Sequence, residues 1–271
     1  MTEYLKSPLN YTGSKFNLLP EIKNNLPKDR TILYDLFCGG GSVFVNLLPN
    51  YQTIYANDIL IPLIRLYNFL QNNKWEDVIE LISSEKIDKD SQEQYVKLRE
   101  DFNLTGDFIK FFILVCSCTN NMMRFNKKFE FNQTWGKRTY NPSTEIKLKA
   151  YHNKIFSNNN LVLTHQSFET YDIDFANGIV YLDPPYYITN AGYNCYWSKN
   201  KEIMLYDFID NLNKNGCKFL LSNVSEHKGI KNPYINRLSK YRIIDIEQNY
   251  DIVSRTGKSF SKEILVKNYE N

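Results

Sequence analysis

The residues best suited to chemistry are Asp183-Pro184-Pro185-Tyr186. They follow Gly178-Ile179-Val180-Tyr181-Leu182, a short apolar β-rich run whose composition predicts a buried strand. A strand that ends this way puts a carboxylate and an aromatic ring at the carboxyl edge of a sheet, where open α/β sheets bind ligands. The prolines stop the strand and fix the backbone, so the Pro184 carbonyl has a defined direction. One carboxylate, one aimed carbonyl and one flat ring can hold an aromatic amine. A second candidate site is Cys38-Gly39-Gly40-Gly41-Ser42, after the predicted strand Ile32–Phe37. Glycines at a strand-to-helix turn let a ligand approach the backbone closely. Asp58 lies about 20 residues further on, the offset at which a carboxylate meets both hydroxyls of a ribose. The alternative for Asp58 is a helix N-cap.

Other stretches exclude some chemistries. Thr12-Gly13-Ser14-Lys15 lacks the first glycine and the spacing of a phosphate-cradling Walker A loop, which argues against a nucleoside triphosphatase. The five cysteines show no metal-like pairing and read as reduced thiols, so no metal site is expected. No apolar run is long enough to span a membrane and no leader is evident, which predicts a cytoplasmic protein. The net charge is only +3, but residues 120–154 hold eight Lys/Arg against two Glu. Interleaved with aromatics, that block suits a phosphate-bearing partner; otherwise it is a solvated face.

The elements that must position these residues alternate. A helix carries Leu18, Leu19, Ile22 and Leu26 on one face, with Pro20 in its first turn. Strands are predicted at Ile32–Phe37, Thr53–Ala56, Leu161–Thr164, Gly178–Leu182 and Cys217–Asn223, and a helix at Lys201–Leu212. Tyr241–Ile246 and Glu263–Tyr269 are expected to pair as a closing hairpin, with a mobile basic stretch at Ser254–Ser259 between them. From Pro62 to about Phe156 helical spacing dominates, with Asp107 a predicted cap. Phe125, Phe129 and Phe131 then flank a polar tip, as in a hairpin-like loop. This stretch interrupts the α/β alternation and reads as an inserted lobe.

In order along the chain, Tyr11-Thr12-Gly13-Ser14-Lys15, Asp35-Leu36-Phe37-Cys38-Gly39-Gly40, Asn57-Asp58, Asn121-Met122-Met123-Arg124-Phe125-Asn126, Gly136-Lys137-Arg138 and Asp183-Pro184-Pro185-Tyr186 resemble Dam-like (D12 class) DNA adenine methyltransferases. The resemblance covers most of the chain. It implies a Rossmann-like α/β fold with a mixed, mostly parallel seven-stranded sheet. The catalytic domain would comprise residues 1–61 and 157–271, and a helical target-recognition domain with a β-hairpin residues 62–156. S-adenosylmethionine is the implied cofactor, lined by Tyr11, Lys15, Phe37, Cys38, Gly39, Gly40, Gly41, Asp58, Phe168 and Asp183. Double-stranded DNA is the implied partner, contacted by Asn120, Met122, Arg124, Phe125, Asn126, Lys137 and Arg138, with the protein a monomer or weak dimer. Asp183, Pro184 and Tyr186 would be catalytic. Asp183 and the Pro184 carbonyl would accept from the amine of an adenine flipped out of the duplex, and Tyr186 would stack on it. The family suggests GATC as target. Thr119-Asn120, however, stands where such enzymes commonly place an aromatic and a small polar residue, leaving Phe125 as the aromatic wedge. Adenine methylation in a different short motif, cytosine-N4 or RNA amino methylation, and a DNA-binding module without catalysis are the other readings.

Overall fold

A computed structural model describes residues 4–189, 197–246, 253–254, 257–258 and 261–270. The helices are α1 (Leu19–Asn25), α2 (Ser42–Leu47), α3 (Ile61–Asn72), α4 (Trp75–Ser84), α5 (Gln92–Thr105), α6 (Phe108–Ser117), α7 (Pro142–Ile155) and α8 (Lys199–Lys214). The strands are β1 (Ile32–Asp35), β2 (Thr53–Asn57), β3 (Leu161–Thr164), β4 (Gly178–Leu182), β5 (Lys218–His227), β6 (Ile230–Lys231), β7 (Arg242–Ile246), β8 (Val253–Ser254), β9 (Gly257–Lys258) and β10 (Ser261–Lys267).

The main sheet has the order β3-β2-β1-β4-β5-β10-β7, with β6 paired to β5. The first five strands are mutually parallel, while β10 runs antiparallel between β5 and β7. The strand order reverses between β1 and β4, which opens a crevice at their carboxyl ends. Every residue of β4 is buried, as expected of a strand covered on both faces. One apolar cluster covers one face, where Leu33 and Ile54 of the sheet meet Leu63 and Tyr67 of α3 and Tyr151 and Ile155 of α7. The other face packs Val180 and Leu182 against Leu205 and Ile209 of α8.

Local sequence accounts for the ends of these elements. Pro20 occupies the first turn of α1, where its missing N–H costs nothing. Asp107 caps α6, its carboxylate accepting from the N–H groups of Ile109 and Lys110. Arg242–Ile246 and Ser261–Lys267 pair antiparallel, as the closing hairpin requires.

The structure departs from expectation in three places. β1 stops at Asp35, so Leu36 and Phe37 belong to the turn, and β5 runs on to His227. The loop at 120–131 makes isolated bridges, Phe125 to Phe131 and Cys118 to Trp135, and no strand ladder. On the side of Phe131 away from Phe125, the Asn103 side chain accepts from the Phe131 N–H at 2.7 Å and donates to the Phe131 carbonyl at 3.1 Å, tying the loop to α5. Of the stretch expected to be mobile, residues 255–256 and 259 lie outside the described residues.

Gly41 is where the fold depends most on a missing side chain. It has φ +76°, and a Cβ there would collide with the Tyr151 hydroxyl and approach Phe44 to 2.9 Å. Gly106, at the end of α5 with φ +65°, has open space around it. Gly41→Ala is therefore expected to lower stability by clearly more than the ~1–2 kcal/mol of a left-handed alanine, and Gly106→Ala by about that amount. Denaturant midpoints compare the two; equal losses would show that the turn tolerates the collision.

Candidate active site

A cleft of about 880 Å³ opens at the carboxyl ends of β1, β2 and β4. That is within the roughly 300–1,000 Å³ of small-molecule sites. One end is built on the glycine turn. The Gly39 N–H donates to Asp58 Oδ2 at 2.9 Å, and the Tyr67 hydroxyl donates to the Gly39 carbonyl at 2.8 Å. Asp58 Oδ1 accepts from the Leu60 N–H at 2.9 Å, so Asp58 bonds amides at the entry to α3 while also lining the cleft. Burial pushes the Asp58 carboxyl up, against the pull of its amide donors. Tyr11 lies over the turn so closely that a Cβ on Gly40 would stand 2.7 Å from the Tyr11 Cβ. Phe37 and Phe168 line the cleft with Trp197, their centroids 5.3 to 5.9 Å apart. Cys38 also faces it, and burial raises its thiol well above the usual range, which leaves it unreactive. Gly41 is not in the wall; it turns onto Tyr151 behind it.

The other end holds the Asp-Pro-Pro-Tyr turn. Asp183 Oδ1 accepts from the Tyr186 hydroxyl at 3.0 Å and pairs with Lys15 Nζ at 3.0 Å. Lys15 is 5% exposed, donates to the Gly13 carbonyl at 2.8 Å and lies 5.0 Å from the Tyr186 ring centroid. It is a structural charge and not a solvated one. Pro184 is buried beside it. Burial raises the Asp183 carboxyl, and the Lys15 ammonium pulls it back toward the ionised form.

Sequence reasoning missed Glu263, which joins this end from β10 at a register shift between Lys262 and Glu263. Bulges of this kind re-aim side chains beside active sites. Burial raises the Glu263 carboxyl, Lys15 lowers it, and the Asp183 charge raises it. An acidic residue before the apolar run Ile264-Leu265-Val266 was the available signal. Trp197 and Arg65, also in the cleft wall, carried no motif. Beneath the cleft Asp35 is 1% exposed, and among the described residues neither carboxylate oxygen has a hydrogen-bond partner within normal distance. Burial and the charges of Asp183 and Asp58 push its carboxyl well above the usual range.

The expected DNA residues are distributed differently. Met122 and Phe125 line the main cleft; Asn120, Arg124, Asn126, Lys137 and Arg138 do not. Arg124 is exposed, with Nε 3.0 Å from Asn132 Oδ1 and Nη2 2.8 Å from the Asn132 carbonyl. Arg138 is exposed and donates to Asn121 Oδ1 at 2.8 Å. Lys137 is exposed, 5.7 Å over the Trp135 ring. Asn120 accepts at its carbonyl from the Asn10 side chain. Asn126 shapes the loop: its Oδ1 accepts from Lys128 and Glu130 N–H groups and its Nδ2 donates to Glu130.

The aromatic-wedge expectation needs correction. Phe125 is 8% exposed and packs edge-on against Phe131, so its ring props the loop from within. Thr119 turns inward as well, its hydroxyl bonded to Thr134 and Trp135. The exposed aromatic is Phe129, 66% exposed at the tip with φ +64°.

A doubly wound sheet with a glycine turn at one end of its crevice and a carboxylate–aromatic turn at the other defines an α/β group-transfer site. The chain belongs to the D12 class N6 adenine-specific DNA methyltransferase family, whose sequence profile matches residues 11–252. It is 33% identical to the type II methyltransferase M.FokI of Planomicrobium okeanokoites, over 99% of this chain and 43% of that protein. It is 25% identical to the type II methyltransferase M.CviBI of Paramecium bursaria Chlorella virus NC1A, over 98% of this chain and 100% of that one. It is 29% identical to the DNA adenine methylase of Salmonella typhimurium, over 79% of each. The chain thus spans less than half the length of M.FokI.

Asp35 gives a test of the site's electrostatics. Its carboxyl is raised on folding, so its contribution to stability is fully present below the unfolded value of about 3.9 and is lost as pH rises through the folded value. Asp35→Asn should therefore raise the denaturation midpoint at pH 7.5 and lose that advantage near pH 3.5. A gain of equal size at both pH values would remove the buried charge as its cause.

Proposed function

We propose that this chain transfers a methyl group from S-adenosylmethionine to the exocyclic N6 amine of an adenine in double-stranded DNA. The observation that carries the reading is the Asp183 carboxylate, bonded to Tyr186 and Lys15 at the sheet edge, beside a cleft large enough for a nucleoside cofactor. When bound, S-adenosylmethionine supplies an electrophilic methyl group on a sulfonium. The chain's residues fit it: Asp58 and the glycine turn offer a polar end for a ribose, and Phe37, Phe168 and Trp197 an apolar wall. Tyr11 closes over the turn.

Adenine's exocyclic amine is a poor nucleophile because its lone pair is conjugated with the ring. Hydrogen bonds from that amine to Asp183 and to the Pro184 carbonyl concentrate density on nitrogen as it pyramidalises. This is stabilisation of developing charge by fixed acceptors, and it requires Asp183 ionised. Burial raises the Asp183 carboxyl, and the Lys15 ammonium works against that rise. Tyr186 supplies a flat face for the base, which must leave the duplex to reach this depth.

Residues 62–156 act in this reading as the target-recognition unit and residues 1–61 and 157–271 as the catalytic unit. Support comes from the basic loop after α6 and from Phe129, which takes the wedge role from Phe125. Arg124 is a candidate reader of a guanine edge, with Asn132 fixing its guanidinium. GATC is the first motif to test. Base-resolved methylation mapping of plasmid DNA from cells expressing the chain reads base, position and motif together. Modified cytosine, or no modification, would defeat the proposal.

Asp183→Ala should reduce methyl transfer at least roughly 100-fold, the size of one oxyanion-type contact, while DNA still binds. Near-normal turnover would remove Asp183 from the chemistry. Lys15→Met takes away the charge that lowers the Asp183 carboxyl, so the acid limb of the pH–rate profile should move to higher pH. Lys15→Arg should restore it. An unmoved limb in Lys15→Met would show that Lys15 does not set the ionisation of Asp183.

A further inference from the structure

A second cleft, of about 600 Å³, lies against the first and shares Tyr11 and Ser14 with it. It runs between the N-terminal loop, the end of α6 and the start of α7. Its lining contains Lys6, Arg138 and Lys147 and, among the described residues, no carboxylate. Lys6 and Lys147 are exposed, and among the described residues neither is ion-paired. Arg138 is held in place: it donates to Asn121 Oδ1 at 2.8 Å, and the Asn121 amide donates to the Val115 and Cys116 carbonyls at 3.0 and 2.8 Å. The cleft is bridged where Asn10 Nδ2 donates to the Asn120 carbonyl at 2.8 Å, joining segments 110 residues apart.

Three cations of one sign in a concavity focus a positive potential there. Thr144 and Asn141, in the first turn of α7 and at its cap, line the same cleft and add neutral hydrogen-bonding groups. Cations, hydroxyls and amides in one groove are the groups that contact phosphate oxygens and set a protein's register on a duplex without reading sequence. We propose that this second cleft seats phosphates of the DNA backbone, with Lys6 and Lys147 as its outer cations and Arg138 as its fixed inner one. This rests on the reading that the chain acts on DNA. Tyr11 and Ser14 line both clefts, while Gly39, Gly40 and Asp183 line only the first, so a strand seated in the second would lie next to the site.

The test is equilibrium binding of a short duplex to Lys6→Ala, Lys147→Ala and the double variant over a series of salt concentrations. Each lysine that meets a phosphate should lower the magnitude of the slope of log K against log salt by about 0.9. The affinity lost should be equal for duplexes with and without the methylated motif, and affinity for S-adenosylmethionine should be unchanged. Both lysines are exposed, so the variants should fold; thermal denaturation checks this, and Lys6→Gln and Lys147→Gln serve as second neutral variants. An unchanged salt slope overturns the proposal. So does a loss confined to the motif-bearing duplex, which would make these base contacts, or a loss of cofactor affinity, which would assign the cleft to the cofactor. Absence of DNA binding by the wild type would sink the functional reading itself, whereas wild-type binding with unmoved slopes sinks only this site.

Discussion

The site depends on one buried ion pair. Lys15 meets Asp183 where Asp35, Asp58 and Glu263 also crowd carboxylates into one crevice. Four carboxylates in low dielectric cannot all stay ionised cheaply, and each is raised by burial. Their environments separate them. Asp58 has amide donors on both oxygens, Asp183 has a cation and a phenol, and Asp35 has, among the described residues, no hydrogen bond of normal length to either oxygen. Asp35 is therefore the one pushed furthest toward the neutral form, and Asp183 the one with a cation to hold it as an acceptor. A buried pair contributes little net stability, because desolvation offsets attraction. Its value here is the ionisation state of one group.

The glycine turn is fixed by a different device. Gly39 is held at its N–H by Asp58 and at its carbonyl by Tyr67, and Gly41 is packed by Tyr151. Tyr67 and Tyr151 stack at 5.7 Å and come from α3 and α7. The floor of one end of the cleft is thus braced by two helices far apart in sequence. A shift of α3 or α7 would be felt at Gly39.

Much of this was legible because it is local. Strand positions follow from apolar runs, Pro184 and Pro185 stop a strand by their own covalent geometry, and Asp107 caps α6 through amides two and three residues away. The motif order also named both ends of the cleft. What was not legible depends on contacts distant in sequence. Glu263 reaches the site by a register shift in a strand far along the chain. Lys15 was expected in the cofactor wall by resemblance, but its ion pair with Asp183 joins residues far apart in sequence and no local pattern announces it. Phe125 and Phe129 are chemically identical and four residues apart. Only the turn built by Asn126, and the edge-on packing on Phe131, decides which is inside.

That last contrast bears on how the lobe works. The loop between α6 and α7 has almost no ladder bonding, yet polar side chains fix its backbone: Asn126 and Arg124 of the loop bond the Glu130 N–H and the Asn132 carbonyl, Asn121 anchors it to α6, and Asn103 of α5 holds Phe131. A loop shaped by side-chain amides holds its tip at a defined height without needing a sheet. It also leaves Phe129 and the lysines beside it as the groups that project. Asn10 ties the N-terminal loop to Asn120, and the next residue, Tyr11, covers the glycine turn, so the loop after α6 and the wall of the main cleft meet consecutive residues of one segment. Displacement of that loop would therefore act on Tyr11 through Asn10, and through Tyr11 on the glycine turn.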